Sequence, residues 1–146
     1  MKTVENTEEF GVLFEKALEM RKLAYAPYSH WSVGAALLTP DGRIYTGCNI
    51  ENAAYGPTVC GERTAIFKAV SEGCRVFEAI AIAGGKEGED DCDFCPPCGV
   101  CRQVMREFCR PDFKVFCVRR KGGEIEAKGF TLQELLPEGF GPDFLI

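Results

Sequence analysis

PPCGVCRQV, residues 96–104, reads as a proline-marked loop that turns into the first turn of a helix. PTVCGERTA, residues 57–65, has the same shape earlier in the chain: proline, then a cysteine where a helix begins. Apolar residues at helical spacing follow both. They are Ala65, Ile66, Ala69 and Val70 in the first case, and Cys101, Val104, Met105 and Phe108 in the second. Short strand-like runs precede each helix, 43–48 (RIYTGC) and 77–84 (FEAIAIAG), and 114–119 follows the second. Strands alternating with helices imply βαβ crossovers, so these two helix starts decide the fold class, α/β.

Outward from this centre, SVGAALLT (32–39) and RIYTGC close a hairpin over the turn Pro40-Asp41-Gly42. Glu124 to Lys128 pairs with 114–119 across Lys121-Gly122-Gly123, and Thr131-Leu132-Gln133-Glu134 has the capping-box pattern of a last short helix. At the other end Thr7 is the expected N-cap, with Glu8 and Glu9 in the first turn. Phe10, Leu13, Phe14, Ala17, Leu18, Met20, Leu23 and Ala24 form the apolar face, and Pro27 ends that helix. The expected architecture is a mixed sheet of about five strands covered by helices, in one domain over residues 1–146, without repeats or linkers.

Composition narrows the function. Hydrophobic residues are 46% and charged residues 27% of the 146, as in a soluble globular protein, and the net charge is −5 with no basic stripe for a nucleic acid polymer. The N-terminus MKTVENTEEF is no signal peptide, and no apolar run is long enough to span a membrane. A cytoplasmic location with reduced thiols is therefore expected, and nine cysteines, an odd number, argue for metal binding over disulfides.

A helix N-terminus favours thiolate, so two facing starts can place Cys60, Cys98 and Cys101 around one ion. Three protein ligands leave a fourth tetrahedral position open, the arrangement of a catalytic zinc. Glu62, two residues after Cys60, suits a proton shuttle beside that position, and Arg63 is the side-chain donor to the sulfurs. His30, the lone histidine, lies in neither segment. The run C-x2-C-x2-C-x2-C over 92–101 also admits an iron–sulfur carrier or a structural zinc module. The last ferredoxin spacing and its proline are missing, however, and both rivals leave Cys60-Gly61-Glu62 unexplained. Cys92 and Cys95 read as loop thiols beside the site, and Cys48, Cys74, Cys109 and Cys117 as small buried residues.

GCNIENAAYGPTVCGERTAIFKAVSEG (47–73) with PCGVCRQVM (97–105), YAPYSHWSVGAALL (25–38) and LLPEGFGPDFL (135–145) resembles the cytidine deaminase family, the small homotetrameric type acting on free nucleosides. C-x-E…P-C-x-x-C is the zinc deaminase signature, with cysteine at the position more often held by histidine. The resemblance implies α/β/α layers and one Zn²⁺ per chain on Cys60, Cys98 and Cys101. Glu62 would pass the proton of the zinc water to N3 and the leaving amine of cytidine or 2′-deoxycytidine, in pyrimidine salvage. A relative acting on a modified cytosine nucleoside or antibiotic is the alternative within the class. The resemblance also implies that Asn49 and Glu51 hold the ribose hydroxyls, that Tyr55 lies near the sugar, and that Trp31 stacks on the base where the family usually has phenylalanine. Gly61 stands at the pocket floor in place of the usual alanine, and Phe140 reaches a neighbouring subunit's site. Read without it, Trp31 and Tyr55 are equally core aromatics, Asn49 a strand-end turn residue and Arg63 a surface cation.

Overall fold

The computed structural model describes residues 2–4 as backbone and 9–146 in full. In chain order the elements are β1 (Lys2–Val4), α1 (Gly11–Met20), β2 (Trp31–Leu38), β3 (Ile44–Cys48), α2 (Gly61–Ser71), β4 (Ala79–Lys86), α3 (Gly99–Phe108), β5 (Lys114–Lys121), β6 (Glu124–Thr131) and α4 (Leu132–Leu135). One six-stranded sheet runs β1-β6-β5-β4-β2-β3. Among the described strands only β4 and β5 are parallel neighbours, and α3 makes the crossover between them. Since β3 and β4 each pair antiparallel with β2, they run parallel to each other, and α2 crosses between them. Both expected crossovers are present, and the sheet is mixed as expected.

The pleat sorts the side chains. Ala35, Leu37, Ile80, Ile82 and Val115 point to one face, where they bury Ala65, Ile66 and Ala69 of α2 and Cys101 and Met105 of α3. Ala36, Ala79, Ala81, Ala83, Phe116 and Val118 point to the other, under Leu13, Phe14, Ala17 and Leu18 of α1. A carpet of alanines suits a helix lying close, and Phe10, Phe14 and Phe116 fill the remaining space ring against ring.

Several boundaries differ from the sequence expectation. Thr7 and Glu8 lie outside the described residues, and α1 starts at Gly11 with Phe10 at its N-cap and no side-chain cap. The helix tightens to a 3₁₀ turn over Arg21–Leu23 and the chain extends at Ala24, so Leu23 is exposed instead of joining the apolar face. β4 continues through Gly84-Gly85 to Lys86, because β2 pairs with it along its whole length, Trp31 opposite Lys86 and Leu38 opposite Ala79. β1 was not expected. Its three residues are too short for a periodic signal and owe their strand form to β6, which reaches Thr131. The Thr131–Glu134 capping box of α4 is present in full.

One close approach sets α2, and with it the site. A Cβ on Gly47 of β3 would lie 2.5 Å from both Ala65 N and Gly61 O, backbone atoms of α2 that cannot rotate away. Gly47→Ala is expected to lower the free energy of unfolding by about 1–3 kcal/mol through overpacking. A lower urea midpoint at constant slope would register it, whereas an unchanged midpoint would mean that α2 can retreat at no cost.

Candidate functional site

Cys60 and Cys98 are the N-cap residues of α2 and α3, both in extended backbone conformation, each with its carbonyl accepting the first intrahelical bond. Cys101 lies one turn into α3 and is fully buried. The three Sγ atoms lie within 4.8 Å of one another, and Cys60 Sγ is 3.8 Å from Cys98 Sγ. Tetrahedral Zn–S bonds of ~2.3 Å make an S···S edge of about 3.8 Å, so the spacing fits a zinc ion with one coordination position left open. Cys92 and Cys95 are not in this cluster, so the iron–sulfur arrangement over 92–101 is not built.

Charge is arranged around the sulfurs. Arg63 Nη2 donates to Cys60 Sγ at 3.5 Å. Without a metal, the hydrogen bond from Cys101, and then those from Arg63 and Cys98, hold the Cys60 thiol down at about 5 against its burial. That Cys101 bond, helped by burial and the nearby Glu62 carboxylate, pushes Cys101 up. Such a cluster gathers thiolate charge at two helix N-termini, which is the donor set a soft dication needs.

Glu62 stands in the first turn of α2 and is only 3% exposed. Burial pushes its carboxyl up to about 7, and the Cys60 charge adds to the rise. Its Oε1 is buried with no hydrogen-bond partner among the described residues. An orphaned carboxylate oxygen is costly unless a ligand, water or proton meets it there. It lines a cavity of about 310 Å³ shared with Trp31, Asn49, Glu51, Cys60 and Cys98.

The other candidates divide. Trp31, 42% exposed, forms part of the cavity wall and is no core aromatic. Asn49 is buried, with Oδ1 accepting from Val33 N and Nδ2 donating to Trp31 O, both at 2.8 Å, so it braces β2 while facing the cavity. Glu51 is clamped: Oε1 accepts from Tyr28 N (3.0 Å) and Ser29 N (3.1 Å), and Oε2 from Ser29 Oγ. These bonds, the Ser29 side chain first, hold its carboxyl below the ordinary carboxylate value. Tyr55 is 72% exposed and lines an adjoining hollow with Tyr28, Ser29, Glu51 and Thr58. Gly61 turns toward the sheet, where a Cβ would meet Val33 O at 3.2 Å, so what it offers a ligand is backbone. Phe140 lies outside this cavity, 55% exposed and stacked on Phe144. His30 pairs with Glu87 at the surface.

Sequence reasoning did not single out Tyr28 and Ser29, whose N–H groups orient Glu51, or Cys95 as a wall of the cavity. Pro27-Tyr28-Ser29 as a turn ahead of β2 was the available signal, but its partner lies 22 residues on.

An α/β sheet that brings two helix N-termini together around three thiols, beside a buried carboxylate and an open cavity, defines a metal-dependent hydrolase architecture. The family described as the cytidine and deoxycytidylate deaminase zinc-binding region matches residues 7–117. A cytidine deaminase of Sporosarcina psychrophila is 48% identical over 133 residues, 91% of this chain and 92% of that protein. A probable cytidine deaminase of Dictyostelium discoideum is 42% identical over 141 residues, 97% of this chain and 90% of that one. The crystal structure of cytidine deaminase from Burkholderia pseudomallei superposes with a TM-score of 0.78 at 43% identity, covering 90% of this chain and 98% of that one. The chain belongs to the cytidine and deoxycytidylate deaminase family.

Proposed function

We propose that this chain catalyses hydrolytic deamination of cytidine and 2′-deoxycytidine to uridine and 2′-deoxyuridine plus ammonia, in pyrimidine salvage, with residues 1–146 working as one domain. The observation that carries the reading is Glu62 Oε1, buried and unpartnered beside three convergent thiols at the wall of an open cavity.

Cys60, Cys98 and Cys101 would hold a zinc ion, and when bound that ion supplies the Lewis acidity that readies water for attack near neutral pH. Glu62 takes the proton from the attacking water and delivers it to N3 as the C4–O bond forms. It then relays the second proton to the exocyclic amine, and the C4–N bond breaks to release ammonia. Arg63 holds Cys60 Sγ in place. Trp31 offers the base a stacking face, and Asn49 and Glu51 offer the ribose hydroxyls acceptors already oriented by β2 and by Tyr28–Ser29. Neither cavity includes a lysine or arginine among its described lining residues, so a 5′-phosphate finds no counter-charge among them. That favours the nucleoside over the nucleotide.

Glu51→Ala is expected to raise KM for cytidine roughly 10–100-fold, the worth of a charge-assisted hydrogen bond, with a smaller change in kcat. An unchanged KM would remove Glu51 from the ribose site. The reading as a whole is tested by the loss of cytosine absorbance and the release of ammonia from cytidine and, separately, from cytidine 5′-monophosphate. Turnover of neither by the zinc-loaded protein sinks it.

We further propose a homotetramer in the cytoplasm that binds neither membrane nor nucleic acid polymer. Phe140, Phe144 and Leu145 form an exposed apolar end outside the chain's own cavity, which supports Phe140 entering a neighbouring subunit's site. Thiolate ligands suit a reducing compartment. No helix among the described residues is long and apolar enough to cross a membrane.

A further inference from the structure

The cysteine run contains a thiol that the metal cluster does not use. Cys95 lines the same cavity as Trp31, Glu62, Cys60 and Cys98. Its place is built from β5 and β6. Cys92 exchanges backbone hydrogen bonds with Arg120 at 2.9 and 3.0 Å. Asp93 lies 3.8 Å from Arg119, and the Phe94 ring takes both the Arg119 guanidinium at 4.5 Å and the Lys128 ammonium at 4.3 Å. Three consecutive residues thus pin the loop just ahead of Cys95.

This anchoring brings Cys95 to Trp31. Trp31 Nε1 and Cys95 Sγ meet over Gly84 of β4, and the Trp31 side chain works against the rise that burial gives the Cys95 thiol. A Cβ on Gly84 would lie 2.7 Å from Cys95 Sγ, 3.0 Å from Cys95 Cβ and 3.2 Å from Trp31 Nε1, so glycine is what leaves room for the pair. Gly84 lies opposite Val33, two residues along β2 from Trp31, which puts all three on the cavity face of the sheet. Indole has a single donor, and engaging it selects one ring orientation among the rotamers open to a half-exposed tryptophan. A phenyl ring at this position has no such handle.

We propose that Cys95 is a positioning residue for the substrate wall: its Sγ accepts from Trp31 Nε1–H above Gly84 and holds the indole in the orientation that stacks on the nucleoside base. The proposal rests on the reading of this cavity as the nucleoside site. It also assigns a purpose to the third-from-last thiol of CDFCPPCGVC that needs no second metal and no redox partner.

Trp31 is the chain's single tryptophan, so fluorescence of the zinc-loaded protein, excited beyond tyrosine absorption, reports on the surroundings of Trp31 alone. A thiol in contact with an excited indole quenches it by proton and electron transfer, and Cys95→Ala is expected to brighten the emission. The same variant is expected to raise KM for cytidine about threefold with kcat unchanged, as loss of one weak hydrogen bond implies. Cys95→Ser, whose hydroxyl accepts the same bond, restores KM. In a Trp31→Phe background Cys95→Ala changes KM no further, because the donor is already gone. Unchanged emission in Cys95→Ala, or an equal KM penalty in both backgrounds, overturns the proposal. Should the wild type turn over no cytosine nucleoside, the functional reading fails by itself, and the emission of Cys95→Ala alone decides the pairing.

Discussion

Glu62→Gln is expected to lower kcat for cytidine on the order of 10³-fold while the protein keeps its zinc and its fold. Glutamine has the volume of glutamate and fills the same buried space in the first turn of α2, but its amide neither accepts a proton from water nor returns one to the amine. The substitution also relieves the site of a buried carboxylate that burial already disfavours, so the variant should unfold no more easily than the wild type. Three readouts make this decisive: turnover, bound zinc and thermal midpoint. Retained turnover, with zinc present, would take the proton shuttle away from Glu62 and require another base in the cavity. Loss of turnover with loss of zinc would show that the carboxylate supports the metal instead.

Cys101→Ala should abolish metal binding and, with it, at least about 10³-fold of activity, since two thiolates from two separate helix caps make a weak chelate. Cys101 is the fully buried member of the cluster and also part of the core between α2, α3 and the sheet. Its loss therefore removes an ion that ties the starts of both helices together, and the thermal midpoint should drop as well. Cys109→Ala, just past the far end of α3, is the control. Burial pushes that thiol up to about 12, which leaves it protonated, and its removal should keep the zinc. Full zinc occupancy in Cys101→Ala would mean that the cluster is not the metal site. Loss of zinc in Cys109→Ala would mean that metal binding reports only on the integrity of the core.

The chemistry of the site was unusually open to reading because its parts are local. A cysteine at a helix N-cap, a second three residues on and a carboxylate in the first turn are each set by a few residues of chain, and the capping box at Thr131 is read the same way. The signature repeats at two helix starts, so even the joining of Cys60 to Cys98 and Cys101 across 38 residues was legible from pattern and family resemblance together. The same locality explains where the reading stopped. Glu51 could be named as a ribose ligand, but not the Tyr28–Ser29 turn that orients it. Cys95 could be placed in the loop, but not against Trp31, because the groups that put it there sit on β5 and β6.

By itself the sequence determined the element types, the crossovers around α2 and α3, and the thiol and carboxylate set with Arg63 as its side-chain donor. Periodicity, caps and residue chemistry are properties of short stretches, and they survive without knowledge of their neighbours. Only the tertiary structure decided the strand order, the added edge strand β1, the seating of α2 on Gly47, the isolation of Glu62 Oε1 and the convergence of Trp31 and Cys95 over Gly84. Each of these is a contact between residues distant in the chain. Such a contact is selected by close packing, where a few tenths of an ångström between backbone atoms decide which arrangement fits, and no single stretch of sequence carries that distance.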